Sequence, residues 1–161
     1  FERLFRYIFL YRIREGMKFM KLVIGNDHAG VDLKNIIKEH LRKQGHEVMN
    51  VGTNTLDSVD YPDIAKKVAE VILEEKAQYG ILICGTGIGI SISANKLEGI
   101  KAALAHNEFT AKLSRLHNNA NIIALGARVI GDELAKACVD TFITTEFEGG
   151  RHAKRVEKIE K

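Results

Sequence analysis

From Lys21 onward the sequence alternates five short apolar runs, four of them with β-branched residues, with longer segments of helical period, the pattern of β-α-β units that build a parallel sheet. The runs cover residues 21–25, 46–51, 79–84, 101–105 and 121–125. The third, YGILIC, is the most hydrophobic and therefore belongs at the centre of the sheet, where both faces are covered. Between the runs, residues 31–43 set Val31, Ile36, Ile37, His40 and Leu41 mostly on one helical face, and Gly45 follows where a positive φ ends a helix. Residues 61–75 carry Pro62 in a first turn and Ile64, Val68, Val71 and Ile72 at spacings of three and four. Segments 90–95, 107–116, 132–142 and 152–161 read as further helices. The expected architecture is a three-layer α/β/α domain over residues 17–161, with a Rossmann-like, doubly wound sheet of five mainly parallel strands. Ligands of such sheets bind where strands end and helices begin, so the residues just past each strand matter most.

Charge and composition narrow the function classes. The longest apolar runs are about five residues, as at 7–11, against the roughly 20 that cross a bilayer, which excludes a membrane-spanning helix. The formal charge of +3 resides at the ends: residues 1–16 carry +2 and residues 151–161 carry +3, leaving 17–150 at −2. The body of the domain thus shows no electrostatic footprint for a polyanion, and no nucleic-acid partner is expected. Cys84 and Cys138 stand 54 positions apart without paired spacing, which argues against a disulfide framework and for a reducing cytoplasm. Residues 1–16 have basic and apolar residues but no small-residue cleavage site after them, and Met17 and Met20 both precede the first strand. The segment is expected to be a translated leader or an expression remnant outside the domain, with an interfacial amphipathic helix as the alternative.

Four constellations follow strands or open helices. Asp27 and His28 put a carboxylate and an imidazole side by side after the first run, and local sequence reads Asp27 equally well as a helix cap. Cys84-Gly85-Thr86-Gly87-Ile88-Gly89 follows the third run with three alternating glycines, which lets backbone N–H groups converge on an anion. Ile90, Ser91 and Ile92 stand where a dinucleotide fingerprint needs its last glycine, and no Gly-Lys-Ser/Thr follows, so the loop suits a small anion rather than NAD or ATP. A thiol facing such dipoles is favoured as thiolate and can serve as base or nucleophile, whereas a buried inert cysteine is the alternative. Cys138 lies among Leu134, Ala135, Val139 and Phe142 and reads as core. His117 with Asn118 and Asn119 precedes the last run, which opens on Asn121, and Arg128 follows it. Arg151 and Arg155, four apart with His152 between them, make either a solvated basic face or a phosphate clamp. His40, His46 and His106 lack such company and read as structural.

Taken together and in order, GNDHAG, VDYPD, ILICGTGIGISISANK, LSRLHNNANIIALGARVIG and EFEGGRHAKRV resemble the sugar-phosphate isomerase family of type B ribose-5-phosphate isomerases and galactose-6-phosphate isomerase subunits. The resemblance runs over about residues 20–158 and implies cofactor- and metal-free aldose–ketose isomerisation of a small sugar phosphate, in a homodimer or dimer of dimers with shared active sites. It implies Cys84 as the base, Gly85, Gly87, Ile88 and Gly89 as the enediolate loop, and Thr86 as a proton carrier between the two oxygens. His117, with Asp27 nearby, matches the ring-opening group; Asn118 and Tyr61 match sugar contacts; His28, Arg128, Arg151 and Arg155 match phosphate or sugar contacts. One branch of the family uses a glutamate base, and the equivalent residue here is Ile90, which leaves Cys84 in that role. The expected reaction interconverts D-ribose 5-phosphate and D-ribulose 5-phosphate in the non-oxidative pentose phosphate pathway. Allose or galactose 6-phosphate as substrate, or a non-catalytic sugar-phosphate binding module, are the alternatives.

Overall fold

The run 79–84 does lie at the middle of the sheet. In the computed structural model, which describes residues 2–4, 6, 7, 10, 16 and 18–161, β3 (Tyr79–Cys84) pairs with β1 (Lys21–Asn26) on one side and β5 (Ile122–Gly126) on the other. The segment 1–16 falls largely outside the described residues. β2 (Glu47–Asn50) and β4 (Ala102–Leu104) form the edges, in the order β2-β1-β3-β5-β4. Every pairing is parallel, one step beyond the mainly parallel sheet that the pattern implied.

The helices α1 (Val31–Lys43), α2 (Tyr61–Leu73), α3 (Ile88–Ala94), α4 (Glu108–Leu116), α5 (Asp132–Thr144) and α6 (Arg151–Ile159) connect and close the structure. Because side chains alternate across a strand, each strand feeds two layers. Leu22, Ile24, Ile81, Ile83, Ile123 and Leu125 meet α1, α4 and α5 through Ile37, Leu41, Ala111, Val139 and Phe142. Val23, Leu82, Ile122 and Ala124 meet α2 and α3 through Ile64, Val68, Ile90 and Ala94. Each such fully buried aliphatic side chain contributes about 1.5–3 kcal/mol relative to exposure. Cys138 belongs to the first layer, and burial together with the Glu108 carboxylate pushes its thiol up to about 11, so it is inert packing. Among the described residues no helix is long and apolar enough to cross a membrane.

Two local differences from the sequence pattern bear on the site. α3 starts at Ile88 rather than 90, because Gly87 adopts a left-handed φ of 77° and turns the chain into the helix inside the glycine loop. A short 3-10 turn, His28–Gly30, intervenes between β1 and α1, capped by Asp27, whose carboxylate accepts from Ala29 N at 2.9 Å. Parallel strands all end at one edge of the sheet, and the helices return the chain to the other. α4 descends from that carboxyl edge to the amino edge before β5 begins.

Candidate active site

Three adjacent strand ends build the carboxyl-edge half. Cys84 closes β3, with Asn26 ending β1 on one side and Gly126 ending β5 on the other. The Cys84 side chain is 4% exposed, and Sγ accepts the Gly87 N–H at 3.1 Å, so the sulfur faces the loop. Thr86 Oγ1 accepts from Ile88 N at 3.2 Å, so two of the loop's N–H groups are engaged within the loop itself. The loop is tied to the tail of β5: Ala127 N donates to Cys84 O at 2.8 Å and Arg128 N to Gly85 O at 3.0 Å. Close approach is the reason for glycine here. A Cβ on Gly126 would stand 2.7 Å from the Thr86 backbone, and one on Gly89 would stand 2.6 Å from the Tyr61 ring. The Arg128 guanidinium lies over Gly85, where a Cβ would meet Nη1 at 3.3 Å.

Asp27, His28 and Tyr61 line one cleft with residues 58–60. His28 Nδ1 accepts from Val59 N at 3.3 Å. The loop between β2 and α2, which brings Tyr61 here, is anchored by the buried Lys34: Nζ donates to Thr53 O at 2.6 Å and Asn54 Oδ1 at 2.7 Å. Burial and the neighbouring Lys38 charge hold that ammonium below its ordinary value.

The second half sits at the amino edge. His117 is the C-cap of α4, and its ring stacks on His152 with centroids 4.1 Å apart and planes 11° apart. Glu148 Oε2 lies 3.8 Å from His117 Nε2, and Glu148 N donates to Leu116 O at 3.1 Å, which clips this segment to the end of α4. Gly149 and Gly150, with φ of 69° and 54°, then turn the chain into α6 and its Arg151, His152 and Arg155. Arg151 Nε donates to His152 Nε2 at 3.4 Å. Burial, the His117 ring and the Arg151 and Arg155 charges pull His152 below its ordinary value, against the Glu148 carboxylate. Arg115, buried in the last turn of α4, fixes this corner by donating to Tyr79 Oη at 2.9 Å, Ala120 O at 2.6 Å and Thr145 O at 3.1 Å. Asn118 lines a cleft with Gly99 and Lys101, which precede β4.

Cys84, Gly85, Thr86, Gly87, Ile88, Gly89, Asp27, His28, Tyr61 and Arg128 are therefore brought to one edge, and His117, Asn118, Arg151 and Arg155 to the other. The length of β5 or α4 separates them, on the order of 15 Å. The expectation that Asp27 lies near His117 is corrected for a single chain: opposite ends of parallel strands cannot share one pocket. Beside the glycine loop, Ile88, Ile92, Leu104 and Phe109 expose apolar side chains, Phe109 to 70%.

Among the described residues, the donor atoms of His117, Glu148 and His152 lie within 4.8 Å of one another, the spacing of a metal group. The two rings are nearly parallel, however, and lone pairs in parallel planes do not converge on one ion. The sequence assigns His152, beside the arginines, no role of its own, while His106 keeps the structural role expected of it. His106 Nε2 accepts from Gly126 N at 2.9 Å and so braces the strand end on which Thr86 rests.

Burial holds the His106 imidazole below its ordinary value of 6.5. The unfolded chain takes up that proton near pH 6.5, whereas the folded chain resists it, so the unfolded state binds more protons and stability falls as the pH drops further. His152, also held low, adds to the same fall. Melting temperature is expected to hold steady above about pH 7 and to decline toward about pH 5. His106→Gln, which keeps an acceptor for Gly126 N, should make the decline shallower; an unaltered slope would show that His106 does not contribute.

An open parallel sheet with a thiol in a glycine loop at its switch point defines a class, and comparison with known proteins specifies it. The profile of the ribose/galactose isomerase family matches residues 22–159, and the chain belongs to that family. It is an isomerase that acts on a sugar phosphate. Ribose-5-phosphate isomerase B of Escherichia coli is 48% identical over 139 residues, covering 86% of this chain and 93% of the relative. D-erythrulose-4-phosphate isomerase of Pectobacterium atrosepticum is 48% identical over 141 residues, 87% of this chain and 93% of that protein. The solved structure of Clostridium thermocellum ribose-5-phosphate isomerase B superposes with a TM-score of 0.86 at 54% identity, over 88% of this chain and 95% of that one.

Proposed function

We propose that this protein interconverts D-ribose 5-phosphate and D-ribulose 5-phosphate through an enediolate, with Cys84 as the base. The observation that carries the reading is the Cys84 sulfur at the tip of β3, receiving the Gly87 N–H at 3.1 Å inside the glycine loop. That contact holds the sulfur in the loop, and the thiolate is the form of a cysteine that takes a proton. The thiolate removes the proton from carbon 2 of the open-chain aldose; the electron pair forms the carbon 1–carbon 2 double bond and moves the carbonyl electrons onto oxygen 1. Thr86 carries the oxygen 2 proton to oxygen 1, carbon 1 takes the proton back from Cys84, and the ketose results. Ile90 supports the choice of base: the position where one branch of the family carries a glutamate is fully buried here among Ile64, Val68 and Ala94.

The two halves meet in a homodimer. His117, Asn118, Arg151 and Arg155 of one copy face Asp27, Cys84 and Arg128 of the other, and the exposed Ile88, Ile92, Leu104 and Phe109 around the loop supply apolar surface for the contact. His117 and Asp27 then open the furanose ring, and the arginines hold the phosphate and so orient the sugar. The two free buried thiols suit a reducing cytoplasm, and the reaction fits the non-oxidative branch of the pentose phosphate pathway.

The naming of relatives at the same identity for a five-carbon and a four-carbon sugar phosphate makes chain length the open variable, with six-carbon phosphates as the third candidate. Purified protein assayed against four-, five- and six-carbon aldose phosphates is expected to show its highest kcat/KM with D-ribose 5-phosphate. A higher value for another length would overturn the substrate assignment, and binding without turnover of any would overturn the catalytic one.

A further inference from the structure

We propose that His152 is a positioning residue for ring opening, holding the His117 imidazole in the one plane from which it exchanges a proton with the sugar. The inference rests on the reading of His117 as the ring-opening group and adds a residue to it. His117 is a half-exposed C-cap, and an imidazole in that setting turns broadly about its last side-chain bond unless something flat lies against it. His152 is that flat partner: 4% exposed, stacked at 4.1 Å, and tilted only 11° from the His117 plane.

His152 is itself held from every side. Arg151 Nε–H donates to its Nε2, which assigns the ring proton to Nδ1 and leaves the ring uncharged. His117 faces it from the end of α4, Glu148 from the preceding turn, and Arg155 from its own helix. Two imidazolium charges 4.1 Å apart would repel, and the Arg151 and Arg155 guanidiniums add to the cost of charging His152. Glu148 Oε2 lies 3.8 Å from His117 Nε2, on the ring read as the ring-opening group. His152 is thus a neutral brace stacked on the His117 ring.

Ring opening needs a proton carrier. The hydroxyl on carbon 1 gives up its proton to a base, the bond from carbon 1 to the ring oxygen breaks, its electron pair stays on that oxygen, and the oxygen takes a proton. His117 and the Asp27 of the second copy divide those two transfers, and a rotated His117 ring reaches neither oxygen.

D-ribulose 5-phosphate separates this step from isomerisation. With oxygen 5 esterified, the ketose has no hydroxyl able to close a five-membered ring on carbon 2, so it is always open-chain. Exchange of its carbon 1 hydrogen with solvent deuterium therefore requires Cys84 and the glycine loop but no ring opening. In His152→Ala, conversion of D-ribose 5-phosphate is expected to fall about 30-fold, in kcat more than in KM, while deuterium exchange into D-ribulose 5-phosphate falls less than about threefold. His152→Phe, which keeps a flat buried partner, should recover most of the conversion. His152→Gln answers the same question as Ala if the smaller side chain prevents folding, as melting curves will show. Equal losses in conversion and exchange, no loss in either, or a Phe variant no better than Ala would each overturn the proposal. Wild-type protein that neither converts nor exchanges the sugars would overturn the functional reading beneath it, and this inference with it.

Discussion

Replacing Cys84 by Ser is expected to lower kcat for D-ribose 5-phosphate by about 10³-fold while leaving the protein folded, since a positioned base contributes roughly 10²- to 10⁴-fold. Serine nearly matches the thiol in size and keeps an acceptor for the Gly87 N–H, so the loop geometry is retained. What is lost is acidity: a hydroxyl is not ionised at neutral pH and cannot take the carbon 2 proton. Cys84→Ala removes the acceptor as well and leaves a small void beneath the loop, costing about 1 kcal/mol of stability. Both variants should bind the sugar phosphate in a calorimetric titration, because the arginines are untouched. Turnover in Cys84→Ser within a factor of a few of wild type would dismiss the thiol as base.

The second large effect is recovery rather than loss. A Cys84→Ala chain and a His117→Ala chain should each be nearly inert with D-ribose 5-phosphate. Dissociated, mixed in equal amounts and reassociated, half the dimers become hybrids, and each hybrid combines both lesions in one site and leaves the other site intact. About a quarter of wild-type activity should return. If each chain built its own pocket, every site would carry a lesion and nothing would return, even in hybrids confirmed by mass. The opposite placement of Cys84 and His117 on parallel strands makes the two outcomes distinct.

Much of the fold was legible because burial leaves a period in the sequence. Val23, Ile24, Leu82 and Ile83 sit in the strands expected of them, and YGILIC reads as central since only a strand covered on both faces is apolar throughout. The start of α3 was not legible: Ile88 and Gly89 look like loop, and it is the left-handed Gly87 that converts them to a first helical turn. The two residue groups were legible as motifs, but their separation to opposite edges was not. Strand direction decides which edge a residue occupies, and one signal was present: His117 stands after a helix and before a strand, which in a parallel sheet means the amino edge. The partners of His106 and His152 were not legible because a lone histidine has no period. Their roles come from a backbone N–H of Gly126 and a ring of His117, partners 20 and 35 positions away.

The placement of the two residue groups at opposite ends of the sheet has a consequence for how such proteins diverge. If neither chain encloses the sugar alone, the width of the cavity is a property of how two copies seat, not of either backbone. A small tilt, set by substitutions at the exposed Ile92 or Phe109, would widen or narrow both cavities together while the proton-transfer apparatus stays as it was. Substrate length then becomes a trait of the mating surface, free to drift among kin whose reactive groups are unchanged.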